Sequence, residues 1–397
     1  MSDITKILTI IDSEIDKRGM TKGEVAKRLN VSGATISNLF KRTYNKIGYM
    51  KFIELTKIAF GKYHHEYIQR FCLEYKGKLE IEALEWAFAN GNIGVLETLI
   101  KQCKEKKDYP LIIDVYELQA KRMRKGMKPS EFYEEYQKIK FGTKDKKETK
   151  KQKKKEVKTI DFETSILLEI FYMYAIFDSK AYQAIGPISQ SLLTQIQNID
   201  SLYLRMAYSK RVELCLIFSS IKSNDLHTAK EAAEKLIKTD VFETFPIHYN
   251  HALIYLTEIY VLDDFNKSLS YIKKAIKMIE DGFLDENERQ QRNIRSTYDF
   301  LHIYHGKTTE FLFLEDPAER AHLLAKGNET ERKEALKILN DLLLQRGELS
   351  NFQVYFKALA QSDVELMEKV KDMFYLSGDF HYVKLPKKYI KNMKKMQ

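Results

Sequence analysis

A chain of 397 residues exceeds one minimal domain and can bury a large core, so two or three units are expected. Hydrophobic residues make up 44% and charged residues 31%, with only 16 Gly and 6 Pro available for tight turns, which favours a mostly helical protein. No apolar run reaches the roughly 18 residues of a membrane span. Residues 1–10 lack the features of a signal peptide, and Cys72, Cys103 and Cys215 have no metal-type spacing, so the sequence predicts a soluble, cytoplasmic chain with reduced thiols.

The net charge of +10 is unevenly placed. Residues 1–60 hold eleven Lys or Arg against six Asp or Glu, and residues 143–158 hold nine Lys against three acids, so the remainder is close to neutral. Only these two segments attract a polyanion.

In chain order, the periodicity predicts helices over 4–17, 22–29, 34–41 and 49–58, separated by Gly19, the Asn30-Val31-Ser32 turn and Gly48. Within residues 20–42, MTKGEVAKRLNVSGATISNLFKR, Val25, Ala26 and Leu29 recur at helical spacing, and small Ala26 stands where two crossing helices approach. Asn30 fills the turn position often taken by Gly, since Asn tolerates a left-handed backbone. Ser32 is an N-cap, and Ile36 and Leu39 pack the second helix on the first. This reads as a helix-turn-helix. Gly33, Ala34, Thr35, Ser37, Asn38, Lys41 and Arg42 then face outward, short polar groups toward base edges and the basic end toward phosphate. Lys22 and Ser32 are further phosphate candidates. The bland alternative is an ordinary bundle; the local positive charge argues against it.

From residue 63 helix follows helix, with turn signals at Lys76-Gly77, Asn90-Gly91-Asn92, Pro110, 126–129, Pro187, Ser223-Asn224-Asp225, Pro246 and Asp263-Asp264. The run 143–158, TKDKKETKKQKKKEVK, has one apolar residue and reads as a solvated connector, with an auxiliary phosphate contact as the alternative. Residues 256–275 resemble a degenerate tetratricopeptide unit: Tyr260 closes one helix, and Phe265, Leu269, Ile272 and Ala275 line the next, while Thr257 and Ser268 replace the usual Gly and Ala. The predicted fold is all-α: a helix-turn-helix over 1–60, hairpins over 61–142, the lysine-rich segment 143–158, repeats over 159–384 and a capping segment over 385–397.

No P-loop, G-x-G-x-x-G, H-E-x-x-H, C-x-x-C or G-x-S-x-G motif occurs, so no enzyme, cofactor or metal is expected. His248/His251 and His302/His305 have the spacing of a metal pair, but no acid falls on the same face, and aromatic neighbours favour packing.

Three stretches carry a family resemblance: ALEWAFANGNIGVLETLI at 83–100, IYVLDDFNKSLSYIKKA at 259–275 and LSGDFHYVKLP at 376–386. Together with the helix-turn-helix, they resemble the arbitrium peptide receptors (AimR), phage members of the Gram-positive peptide-pheromone regulators. The resemblance implies a homodimer that binds double-stranded operator DNA without peptide and activates transcription in the lysis–lysogeny choice. It also implies a secreted, Arg-containing hexapeptide that binds the repeats and abolishes this. By the same resemblance, Glu319 and Asp379 are partners for the peptide Arg, Tyr260 and Tyr355 are wall residues, Arg211 meets a carboxylate, and Tyr389, Ile390 and Met393 form a dimerisation stripe. The chain departs from the pattern where peptide-binding Asn residues are expected, carrying Phe218 and Glu258 instead. The alternative function is a helix-turn-helix regulator whose repeats bind a protein partner rather than a pheromone.

Overall fold

Few Gly and Pro residues and long runs of helix formers leave little for the backbone to do but coil. The computed structural model describes residues 3–41, 47–74, 80–106, 109–125, 127–141, 160–238, 244–284, 287–309 and 311–395. Among these residues there are 21 α-helices and no strand. The lysine run 143–158, Lys76-Gly77 and Arg42 lie outside the described residues. The chain divides into two compact units: Met1–Ala175 with Gln190–Val212 and Asp240–His248, and Ile176–Ser189 with Glu213–Thr239 and Tyr249–Gln397.

The first unit opens with α1 (Asp3–Lys17), α2 (Lys22–Arg28), α3 (Gly33–Phe40) and α4 (Tyr49–Phe60). Ile7, Ile11 and Ile15, spaced by four on α1, are buried with Val25, Ala26, Leu29, Ile36 and Leu39, and α1 packs on α3 and α4. Five further helices follow: α5 (His65–Glu74), α6 (Glu80–Ala89), α7 (Ile93–Lys104), α8 (Ile112–Lys125) and α9 (Pro129–Phe141). Neighbours in sequence pack on one another from α4 to α9, and α5 on α7 and α6 on α8 pack as next-but-one pairs, the pattern of stacked hairpins. Trp86 on α6 is fully buried and donates its indole N–H to Tyr63 Oη at 2.8 Å.

The middle of the chain forms α10 (Phe162–Asp178), α11 (Ile185–Ile196), α12 (Leu202–Lys222), α13 (Leu226–Lys238) and α14 (Pro246–Tyr260). Pro187 and Pro246, expected in turns, sit in the first turns of α11 and α14, where a missing N–H costs nothing. The second unit continues with α15 (Phe265–Glu280), α16 (Glu288–Tyr304), α17 (Pro317–Ala325), α18 (Glu329–Arg346), α19 (Asn351–Gln361), α20 (Val364–Leu376) and α21 (Lys384–Lys394). Here too sequential helices from α15 to α20 stack, with α20 packing on α21.

The degenerate repeat positions keep their close approach by satisfying their hydroxyls. Thr257 and Ser268 are fully buried; Ser268 donates to the Thr257 carbonyl at 3.0 Å, and Thr257 donates to the Leu253 carbonyl at 2.9 Å. A buried hydroxyl without such a partner would cost about 1–3 kcal/mol.

Candidate functional sites

In the head, Thr21 and Glu24 close a reciprocal capping box on α2, and Ser32 caps α3 by accepting from Thr35 N–H at 3.1 Å. Asn30 takes φ +51° in the turn between them. Gly33, Ala34, Asn38 and Lys41 are exposed, whereas Thr35 and Ser37 are half-buried. The Ser32 and Thr35 hydroxyls bond each other at 2.8 Å. Lys22 is exposed, lies 3.4 Å from Asp12 and places its ammonium over the Phe40 ring. Helix α3 ends at Phe40, so Lys41 is its C-cap rather than a helical residue.

In the second unit, the segment linking α20 to α21 is pinned to the end of α12. Phe380 N–H donates to the Lys222 carbonyl at 2.7 Å, and the Lys222 ammonium donates to Asp379 Oδ2 at 2.6 Å. Gly378 adopts φ +67°, and a Cβ there would meet the Lys180 carbonyl oxygen at 3.1 Å, so only glycine fits. His381 contacts the Glu258 carbonyl through Nε2 at 3.1 Å, which ties the same segment to α14. The Lys222 ammonium lies 5.0 Å from the centroids of both Phe218 and Tyr382.

Tyr382 is buried in the same unit as the three acidic candidates. Its hydroxyl is pushed well above its ordinary range by burial and by the charges of Glu258, Asp379 and Glu319. Burial raises the Asp379 carboxyl, and Lys222 pulls it back. Burial pushes Glu258 up to about 7, again opposed by Lys222. Glu319 is driven well above the carboxylate range by burial, with Asp316 and Asp299 adding to the rise. His322 Nδ1 lies 3.1 Å from Glu319 Oε2, and burial pushes that imidazole well below its ordinary range. The two form a hydrogen-bonded pair beside the Phe356 ring, which stacks on His322 at 4.2 Å, and burial favours the neutral form of each.

Other candidates stand elsewhere. Tyr260, two residues from Glu258, is turned about 200° around the helix; it stacks on Tyr271 at 6.1 Å and faces Lys267. Tyr355 is buried, its hydroxyl raised by burial and by Tyr304 and Tyr389. Arg211 belongs to the first unit, where Nη1 donates to Glu85 at 2.8 Å and Nε to the Tyr174 hydroxyl at 2.9 Å. Its Nη2 atom and Glu85 Oε1 are buried without a hydrogen-bond partner among the described residues. Ile390 is likewise buried within its own chain at 7% exposure, which removes the middle of the expected dimerisation stripe; Tyr389 and Met393 are half-buried.

The histidine pairs are engaged in packing. His302 Nδ1 contacts the Tyr298 carbonyl at 2.9 Å, His305 Nε2 the Val261 carbonyl at 2.8 Å, and His251 meets Tyr255 edge-on. Asp299 accepts from the N–H groups of Phe313 and Leu314 at 2.8 and 2.7 Å, fixing the approach to α17 and Glu319.

Residues 64–392 match the family model described as AimR transcriptional regulator-like. The chain belongs to that family. The AimR-like region thus spans all three acidic candidates, while the helix-turn-helix precedes it. A curated relative, an uncharacterized protein of Bacillus anthracis, is 26% identical over 247 residues, covering 62% of this chain and 90% of its own. The ligand-bound structure of phAimR superposes with a TM-score of 0.70 at 16% identity, over 88% of this chain and 98% of that one. Selenomethionine phAimR gives 0.65 at 17%, over 98% and 97%. At these identities the likeness to solved AimR structures is one of fold. Lys222 carried no signal in the sequence, because its role arises only when the end of α12 meets the α20–α21 link; Tyr382 lay within the 376–386 stretch but was not singled out.

Proposed function

We propose that this chain is a peptide-gated, DNA-binding transcription regulator of a temperate phage, acting in the bacterial cytoplasm on the choice between lysis and lysogeny. Without peptide, two copies bind an operator through α3 and activate a nearby transcript. A secreted hexapeptide places an Arg among Glu319, Asp379 and Glu258 and abolishes this activity. The observation that supports the reading is membership of a transcriptional-regulator family, together with the Lys222–Asp379 pair that ties the α20–α21 link to α12 beside Tyr382. Buried carboxyls of raised pKa favour a cation strongly, since its arrival restores their charge. For gating, the peptide must prefer one arrangement of the two heads, because equal affinity for both shifts nothing.

The test is a polarisation titration of the full chain with DNA from beside its own gene, with and without hexapeptides encoded just downstream. Specific binding lost on adding one hexapeptide is expected. Specific binding indifferent to every peptide would overturn the gating and leave a regulator with a protein partner. Absence of specific binding would overturn the DNA-binding role.

A further inference from the structure

The link between α20 and α21 is fastened by contacts that do not use the Lys222 side chain. Phe380 N–H bonds the Lys222 carbonyl, His381 Nε2 reaches the Glu258 carbonyl, and Gly378 lies against the Lys180 carbonyl and the Tyr182 ring. The Lys222 ammonium is therefore free of that task. It donates to Asp379 Oδ2 at 2.6 Å, with the two side chains only 12% and 11% exposed. The Phe218 and Tyr382 rings each stand 5.0 Å from it, and Phe177 and Tyr255 pack on Phe218 at 5.0 and 5.5 Å. A carboxylate set beside aromatic faces is a cation site, and its occupant here is the chain's own lysine.

That occupant is replaceable. Lys222 is the last residue of α12 and carries its charge on a flexible four-carbon stem, so the ammonium can swing toward the helix end, where the carbonyl dipole favours it. A guanidinium meets a carboxylate with two parallel N–H donors and stacks on aromatic rings, advantages that an ammonium lacks.

We propose that Lys222 is a built-in competitor for the cation site at Asp379, so that a basic group of the ligand binds there only by displacing the Lys222 ammonium. The inference rests on the peptide-receptor reading and deepens it. Lys222 keeps a buried carboxylate paired while no ligand is bound, and it sets how strongly a ligand cation must bind to be heard.

The experiment titrates the full chain with N-acetylated hexapeptide pools built from Gly, Ala, Ser and Ile. One series carries a single Arg at each position in turn, and the other carries its neutral isostere citrulline. Lys222→Met should bind the best Arg pool about tenfold tighter than the parent does, while the matching citrulline pool changes by less than about threefold. Lys222→Arg, which keeps a competitor in place, should not show the gain, and adding Asp379→Asn to Lys222→Met should remove it. Melting is followed for every variant; Lys222→Gln, which leaves Asp379 a donor without the charge, carries the same expectation if Lys222→Met does not fold. Unchanged or weaker Arg binding on loss of the ammonium, or an equal gain for Arg and citrulline, would overturn the competitor and leave the receptor standing. Binding of no pool by parent or variant would overturn the receptor reading itself, and the inference with it.

Discussion

At the scale of single residues, buried charge decides most outcomes. Glu85 and Arg211 are fully enclosed in the first unit, and Tyr116 donates to the same Glu85 oxygen at 2.8 Å. Removing one member strands the other, so Glu85→Leu should lower unfolding free energy by about 3–5 kcal/mol, read from urea titration. Combining it with Arg211→Met should recover much of that loss. Glu319 behaves differently because burial favours its protonated form. Its folded pKa lies above the ordinary 4.5, so the folded state holds a proton that the unfolded state has released, and stability falls as pH rises above 4.5. His322, depressed below 6.5, contributes the opposite slope up to that pH. Glu319→Gln should therefore be more stable than the parent at pH 7, with the gain fading toward pH 4.5, read from urea titrations at both pH values. A gain independent of pH would contradict the burial-raised carboxyl.

Elements matter where they meet. Helix α3 exposes Gly33, Ala34 and Asn38 but half-buries Thr35, whose hydroxyl is held by Ser32. The double substitution Thr35→Ala and Asn38→Ala should abolish specific operator binding while leaving the helical circular dichroism and melting unchanged; unaltered operator affinity would rule out α3 as the reading element. The link between α20 and α21 is the other sensitive junction. Gly378→Ala adds a Cβ against the Lys180 carbonyl at positive φ, so it should cost about 1–2 kcal/mol and weaken ligand binding by moving Asp379. Helix boundaries in the head were legible to within two residues because caps and apolar spacing are local signals. The repeat hairpin was legible for the same reason: α14 ends at Tyr260 and Ala275 is fully buried. What the residues could not disclose was closure between distant segments. Arg211 reads as a partner for a ligand carboxylate until Glu85 is placed beside it, and nothing near Lys222 in the sequence points to Asp379, 157 residues later.

Taken whole, the molecule keeps two kinds of electrostatics. The head carries exposed Lys22, Lys27, Arg28 and Lys41, which suit phosphate, whereas the acids around Tyr382 lie with a buried tyrosine. Operator affinity should therefore collapse between about 50 and 200 mM salt, while peptide affinity changes far less, because buried pairs escape screening. Parallel decline of both in the same titrations would contradict this division. The three acids come from α14, α17 and the α20–α21 link, three separate stretches of one unit. Lys222 acts on two of them, Asp379 and Glu258, and does so from one residue. Its carbonyl fixes the position of Phe380 whatever side chain the residue bears, and its ammonium alone sets the charge beside Asp379. The backbone contact and the charge are thus carried by different atoms of one residue, so a substitution at position 222 changes the charge beside Asp379 while the hold on Phe380 stays in place.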